Sequence, residues 1–595
     1  MRQLVLLLVL GSGWVVAAGR GVAGEASTGR ALRHSDVVFM YDDPKMYGAY
    51  GCTVVGWAGS SDPQRVIAAH QQGIRLFSSS VGFLTEFSRV IDFSPDFLDA
   101  ACRNFEGKPF VVPWLWDHKH KGQPAWWWCT NSPLYRKYLA ARLEKLMQAP
   151  LDGLHIDDYR GSSGAVTWLS GGFCRHCMAA FRKYLAEHVP REKLAALGIT
   201  DVERFDYRQY LMDRGVTPEE YRKKRASLPL SAEFLDFHVR ANTAFVAEYR
   251  KQAERLRGAP LALCVNSGVG DAQALAIAFQ VDYFCCEVSH QASSRRVPMH
   301  PVFIYKLADG VHRPVASTAG GWDWAYIAEH KLPGLVRTWI ALAYAHGHNF
   351  MAPHRQWCYT DKKGTHWYQG PVEEYAWLYQ FVRQKATLLD GYEAVASVAV
   401  VWDNAARRRG KGNIEPVCAA LAEQNVPFTV VVSGDEWLAM RLDASELARF
   451  RAVVIPRDLA GDPARPAALQ AVQAAGRLVA WPDEKAFARL VPPLVRVEPE
   501  KAVGVVPRAK PNEAGAPAVL HLLNRQYDAE KDAMQPQQQV VVELADALFG
   551  GRRFTRARLH VPRAEPLDLT MVRRGQFTVL HVPRLELWAL VELIP

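Results

Sequence analysis

The chain has 595 residues, too many for one hydrophobic core, so two to four domains are expected. Apolar residues make up 49% and charged residues 22%, an ordinary globular balance. The net charge of +10 does not mark a nucleic-acid binder: Lys and Arg are scattered, the densest runs (222–225 and 407–409) fall in surface segments, and no binding motif accompanies them.

The first 24 residues read as a signal peptide. Arg2 supplies the positive charge, residues 4–10 the apolar run, and Ala17-Ala18 or Ala23-Gly24 a small-residue cleavage site. Gly11, Gly13 and Arg20 interrupt the run before the ~20 apolar residues of a membrane span. The mature protein is therefore expected in the periplasm or outside the cell, without a stable span.

From residue 36 to 392, short apolar runs alternate with amphipathic stretches, the pattern of βα units around a parallel sheet. Eight strands are expected, over 52–57, 74–79, 110–116, 151–158, 261–266, 281–287, 314–318 and 348–353, with an insertion after the fourth. Eight such units predict a (β/α)8 TIM barrel. A doubly wound open sheet is the weaker alternative, because no Gly-rich phosphate loop follows the first strand. A second α/β pattern over 395–490 predicts a three-layer domain. The Pro-rich, strand-like runs of 491–595 predict a small β-sandwich-like domain.

Barrel enzymes carry their chemistry at the C-terminal ends of the strands. The fourth expected strand ends in His155-Ile-Asp157-Asp158 and the sixth in Cys285-Cys-Glu287. Side chains alternate along a strand, so if Ile156 packs outward, His155 and Asp157 face the mouth. Glycoside hydrolysis needs two carboxyl groups, one as nucleophile or base and one to protonate the departing oxygen. Asp157 and Glu287 are the candidate pair, with Asp158 as a neighbour. The competing roles are helix capping for the aspartates and an ion pair for Glu287. Among 18 tryptophans, several follow strand ends. Candidate substrate contacts are Trp57, Trp116, His155, Asn266, Trp322, Trp324, His354 and Trp357, with Trp114 beside them. Trp126-Trp-Trp128 is a candidate aromatic wall. Aromatic faces beside polar groups suit a carbohydrate substrate.

Two segments carry a family pattern. Ala125-Trp-Trp-Trp-Cys129-Thr-Asn-Ser-Pro133-Leu-Tyr135-Arg136 resembles the loop and helix start after the third strand of glycoside hydrolase family 42, the β-galactosidases. Gly172-Phe-Cys174-Arg-His-Cys177-Met-Ala-Ala-Phe181-Arg182-Lys-Tyr184-Leu185 is similar to that family's cysteine segment, and Asp157-Asp158-Tyr159 falls at its Asp-Asn-Glu motif. The resemblance implies a barrel followed by a trimerisation domain, hence a homotrimer. It also implies thiolate coordination of zinc, with Cys129, Cys174 and Cys177 on three matching positions and His176, Cys102 or water completing the set. A disulfide between two of the three is the competing expectation. No cofactor is expected for catalysis.

The chain departs from the family at both catalytic positions. Tyr159 stands where the acid/base glutamate is, and Thr318-Ala-Gly-Gly-Trp322 offers no acid for the nucleophile. The pair Asp157 and Glu287 is more similar in placement to α-galactosidase-type barrels, with His155 replacing a lysine. The expected activity is therefore glycoside hydrolysis, by retention, through an Asp nucleophile and a Glu acid/base. The alternatives are a barrel that binds carbohydrate without cleaving it, an assembly scaffold, and a metal-dependent hydrolase, for which the strand ends show no His-x-His or clustered His-Asp ligand set.

Overall fold

The β-branched and aromatic runs between residues 38 and 350 form eight parallel strands that pair in chain order. They are β1 (Val38–Phe39), β2 (Val54–Ala58), β3 (Leu76–Gly82), β4 (Gly153–Asp157), β5 (Ala262–Val265), β6 (Tyr283–Val288), β7 (Val315–Ala319) and β8 (Asn349–Phe350). The N–H of Ala352 donates to the carbonyl of Val38 at 2.8 Å, which joins the last strand to the first. The sheet is a (β/α)8 barrel. This computed structural model describes residues 32–511, 513 and 515–595, so the leader expected over 1–24 lies outside the described residues.

The alternation of each strand separates two cores. Val38, Val54, Leu76, Cys264, Tyr283, Cys285 and Met351 fill the barrel's interior. Their neighbours Phe39, Val55, Phe77, Leu263, Phe284 and Phe350 pack outward against the helices. Each such fully buried apolar side chain contributes about 1.5–3 kcal/mol. Ile156 belongs to the outer layer, which turns His155 and Asp157 inward. The interior is tight at Gly153, where an added Cβ would stand 2.3 Å from Ser78 Oγ and 3.0 Å from the carbonyl of Ala262. Gly153→Ala should therefore lower stability by about 1–3 kcal/mol, read from the shift in thermal or urea unfolding.

One expected strand is absent. Residues 110–116 form a 3₁₀ turn at Pro113–Leu115 and isolated bridges, Val111 to Trp126 being one. Pro109 and Pro113 remove backbone donors from this run, so it cannot hold a central position in a ladder. The stave it was expected to supply is β1, only two residues long. Trp114 and Trp116 thus sit on the long loop after β3, while Trp57 ends β2 rather than β1.

A second parallel sheet follows, with spatial order Phe428–Ser433, Val398–Asp403, Ala452–Pro456, Leu478–Trp481. Helices such as Glu415–Glu423 and Ala468–Ala474 flank it. The last hundred residues, joined by the short strand Glu393–Ala394, form a six-stranded and a four-stranded antiparallel sheet sharing one apolar core, in which Val505 and Leu522 meet Val542 and Val582. Among the described residues no helix is long and apolar enough to cross a membrane.

Candidate active site

A cleft of about 900 Å³ lies over the C-terminal ends of the strands. The inward alternation places Asp157 at the end of β4, Asn266 just past β5 and Glu287 near the end of β6, and all three line it. Asp158 joins them by a different route. Strand alternation alone would turn it outward, but its φ of +51° lies in the left-handed region that Asp tolerates, and its side chain also lines the cleft. Neither aspartate caps a helix, and Glu287 pairs with no Lys or Arg among the described residues.

The three carboxyl groups differ in what holds them. Asn266 Nδ2 donates to Asp157 Oδ1 at 3.1 Å. Burial raises the proton affinity of Asp157, while His155 beneath it and the Asn266 amide oppose that rise. Glu287 has no such support: burial, then the charge of Asp157, pushes it up to about 8. Asp158 is held well above the usual carboxylate range by burial and by its two acidic neighbours, against a hydrogen bond from Trp114. Adjacent acids with diverging proton affinities are the arrangement that assigns one as base and another as acid.

The walls are aromatic. Trp57, Trp322 and Trp357 line the cleft, as expected from their strand ends, joined by Trp114 from the loop after β3, and Trp322 is 55% exposed. Trp116, 48% exposed, stands beside Tyr359 at the outer rim and is not among the lining residues. Three further expected contacts do not reach the cleft. Trp324 is buried, with its indole N–H on Thr318 Oγ1 at 2.9 Å, because helix Gly321–His330 turns it inward. His354 is buried, stacked on Phe39 at 4.0 Å, with Nδ1 3.2 Å from the carbonyl of Ala352. His155 lies one pleat below Asp157, beneath Trp57 (ring centroids 4.2 Å apart), with Nδ1 3.3 Å from Cys264 Sγ. It is a floor residue, not a substrate contact. Nor do residues 126–128 form a wall. Trp127 and Trp128 are wholly buried, and Trp127 instead backs the cleft-lining Trp114 and Trp168 edge-on.

Several lining residues carry no strand-end signal. Trp168, half exposed, comes from helix Gly161–Leu169, with the Arg160 guanidinium over its ring at 5.2 Å. Tyr41 follows β1 and feels the charges of both Asp157 and Glu287. Trp367 and Tyr359 come from a hairpin after β8, β9 (Gln356–Thr360) and β10 (Gly364–Tyr368). That hairpin is pinned to the loop after β3: Thr365 N–H donates to Asp117 at 3.1 Å, and the Tyr359 hydroxyl to the carbonyl of Pro113 at 3.2 Å. The strand-bound acids thus sit in a trench walled by tryptophans on both sides.

The chain is similar to α-agarases. That of Alteromonas agarilytica is 22% identical over 537 residues, 87% of this chain and 36% of its own length. That of Thalassotalea agarivorans is 24% identical over 495 residues, 80% of this chain and 33% of its own. The chain spans about a third of the length of these curated relatives. Among solved structures, α-L-fucosidase isoenzyme 2 from Paenibacillus thiaminolyticus shares the fold, with a TM-score of 0.61, 11% identity, and coverage of 95% of this chain and 100% of its own. No family model matches the chain.

A second cluster lies behind the insertion. Cys129, Cys174 and Cys177 place their sulfurs 3.3, 3.4 and 3.3 Å apart, an almost equilateral triangle. Cys102 hydrogen-bonds to the Cys129 thiol, and His176 is taken by Asp99 at 3.0 Å. All ten cysteines are free and buried.

Proposed function

We propose that the chain is a glycoside hydrolase that cleaves α-linkages in an agar-type galactan. One observation carries this reading: Asp157 and Glu287 share one aromatic-walled trench, where burial and the charge of Asp157 push Glu287 up to about 8 while His155 and Asn266 oppose the rise that burial imposes on Asp157. The similarity to α-agarases supplies the substrate class. In the mechanism, the Asp157 carboxylate attacks the anomeric carbon as Glu287 gives its proton to the departing glycosidic oxygen. Glu287, now charged, then takes a proton from water, whose oxygen displaces Asp157 and regenerates both groups. Asn266 fixes the attacking carboxylate, and Asp158 hydrogen-bonds at its side. The open, tryptophan-walled trench suits a polymer passing through it rather than a single terminal sugar. A gel-forming polysaccharide does not enter cells, which agrees with the expected export.

The test is digestion of agarose beside carrageenan and aryl galactosides, with early products followed by NMR. Release of α-anomeric reducing ends from agarose alone supports the reading. Binding of agarose without cleavage would favour the carbohydrate-binding alternative.

We further propose a structural zinc at the cysteine cluster. A disulfide would draw two sulfurs to about 2.0 Å and leave the third aside, whereas three nearly equal separations describe one face of a tetrahedron. Cys102, hydrogen-bonded to the Cys129 thiol, is a better candidate to complete it than His176, which Asp99 holds. Zinc there would tie the insertion after β4 to the loop after β3, with no part in the reaction. Purified without chelator, the protein should hold about one zinc per chain by elemental analysis, and Cys174→Ser should lose it along with thermal stability.

A further inference from the structure

Away from the trench, the barrel meets both C-terminal domains around a cavity of about 40 Å³. A single water needs only ~10–15 Å³. The cavity is bounded by Lys306 and His346 of the barrel, Phe428 of the α/β domain and Pro507 of the β-sandwich. Lys306 is 4% exposed. Among the described residues its ammonium has no hydrogen-bond acceptor and no carboxylate within 4 Å, and it stands 5.3 Å from the centre of the Phe428 ring. A second buried cation stands nearby. Arg508 donates to the carbonyl of Tyr392 at 2.7 Å but leaves Nε and Nη1 without acceptors. The one acid that attracts both cations is Asp309, and its Oδ1 lies 3.3 Å from His348 Nε2. Exposed Glu393 acts on Arg508 alone. His346 Nδ1, also buried, has no hydrogen-bond partner among the described residues.

A buried charge needs a counter-charge or a hydrogen-bonding partner, and here two cations share one partly shared carboxylate. We propose that this cavity binds a small monovalent anion, chloride in ordinary media, held by the Lys306 ammonium with the His346 ring beside it. A sugar or a sulfated sugar has no room in a space this small, against the ~300–1,000 Å³ of small-molecule pockets. Entry is available: a groove of about 1,230 Å³ between the two C-terminal domains shares Asn425 and Arg525 with the cavity. The bound ion would join three domains at one point, so its effect would be on their cohesion rather than on catalysis. The inference stands apart from the glycosidase reading, since no trench residue takes part.

The experiment uses the full chain. Thermal unfolding is followed at constant ionic strength while chloride replaces gluconate, and crystals are grown in bromide for anomalous scattering. Chloride should raise the unfolding temperature by about 2–4 °C in a saturable way. One bromide peak should appear beside Lys306 Nζ. Lys306→Met should lose the chloride dependence while gaining stability in gluconate. Absence of a bromide peak in the wild-type crystals overturns the proposal even if the variant fails to fold. An equal chloride response in wild type and Lys306→Met also overturns it.

Discussion

Asp157→Asn should lower the turnover of agarose by about 10⁴-fold or more, because an amide cannot form the glycosyl ester that the two-step reaction passes through. The substitution keeps the size of the side chain and leaves an oxygen to accept from Asn266 Nδ2, which now lies 3.1 Å from the carboxylate. Folding should therefore be unchanged, checked by circular dichroism and by the unfolding midpoint, and binding of agarose should persist. Reducing-sugar release is the readout for turnover. A variant keeping a tenth of the wild-type rate would remove Asp157 from the mechanism. A small nucleophile such as azide, added to Asp157→Gly, should restore part of the rate and yield a glycosyl azide.

Glu287→Gln should cost about 10²–10⁴-fold on the natural polymer, the usual contribution of a positioned general acid. The loss should be much smaller on a glycoside whose leaving group needs no proton, and that difference separates an acid from a residue that only shapes the trench. The pH profile adds a second signature. Glu287 must be protonated to give its proton, and burial and Asp157 raise it to about 8, so wild-type turnover should hold below that pH and fall above it. Glu287→Gln should lose this alkaline limb. The linked effect on stability runs the same way. A carboxyl raised on folding favours the folded state fully only below its unfolded value, and that contribution is lost as pH rises from about 4.5 through 8. Acidic loss of turnover reports instead the protonation of Asp157. Strands β4 and β6 are separated by one stave, roughly 9–10 Å around the wall.

The barrel and its acids were legible because their signals are periodic. Alternation along β4 and β6 needs only the identity of Ile156 and Cys286 to say which way Asp157 and Glu287 face. Asp158 was not legible in that way, since a left-handed φ breaks the alternation that sequence reasoning relies on. β1 went unread because two residues carry no period, while the apolar run around Pro113 carried more strand-forming residues and yet lacks the donors. Aromatic residues near strand ends divided by helix phase, a property that distance from the strand does not reveal. Trp322 and Trp324 stand two apart on one helix, so about 200° of rotation puts the first in the trench and the second in the core. Trp168, Tyr359 and Trp367 come from an insertion and a hairpin whose return to the mouth is a tertiary fact.

The barrel's seam has its own consequence for how a polymer is admitted. β1 and β8 are two residues each, so the stretch of wall between them is held by few ladder hydrogen bonds, and the β9–β10 hairpin with Trp357 and Trp367 hangs directly from it. On the facing side, Asp157 and Asn266 stand on β4 and at the end of β5, both deep in the longer part of the sheet. One bank of the trench stands on the longer strands; the other follows the short seam strands and is tied to the loop after β3 through Asp117 and Pro113 and to β7 through Gln356, whose Oε1 accepts from Thr318 Oγ1 at 2.7 Å. If the trench takes a polymer as proposed, any accommodation of its width falls to the bank carried by the short strands, away from Asp157 and Asn266.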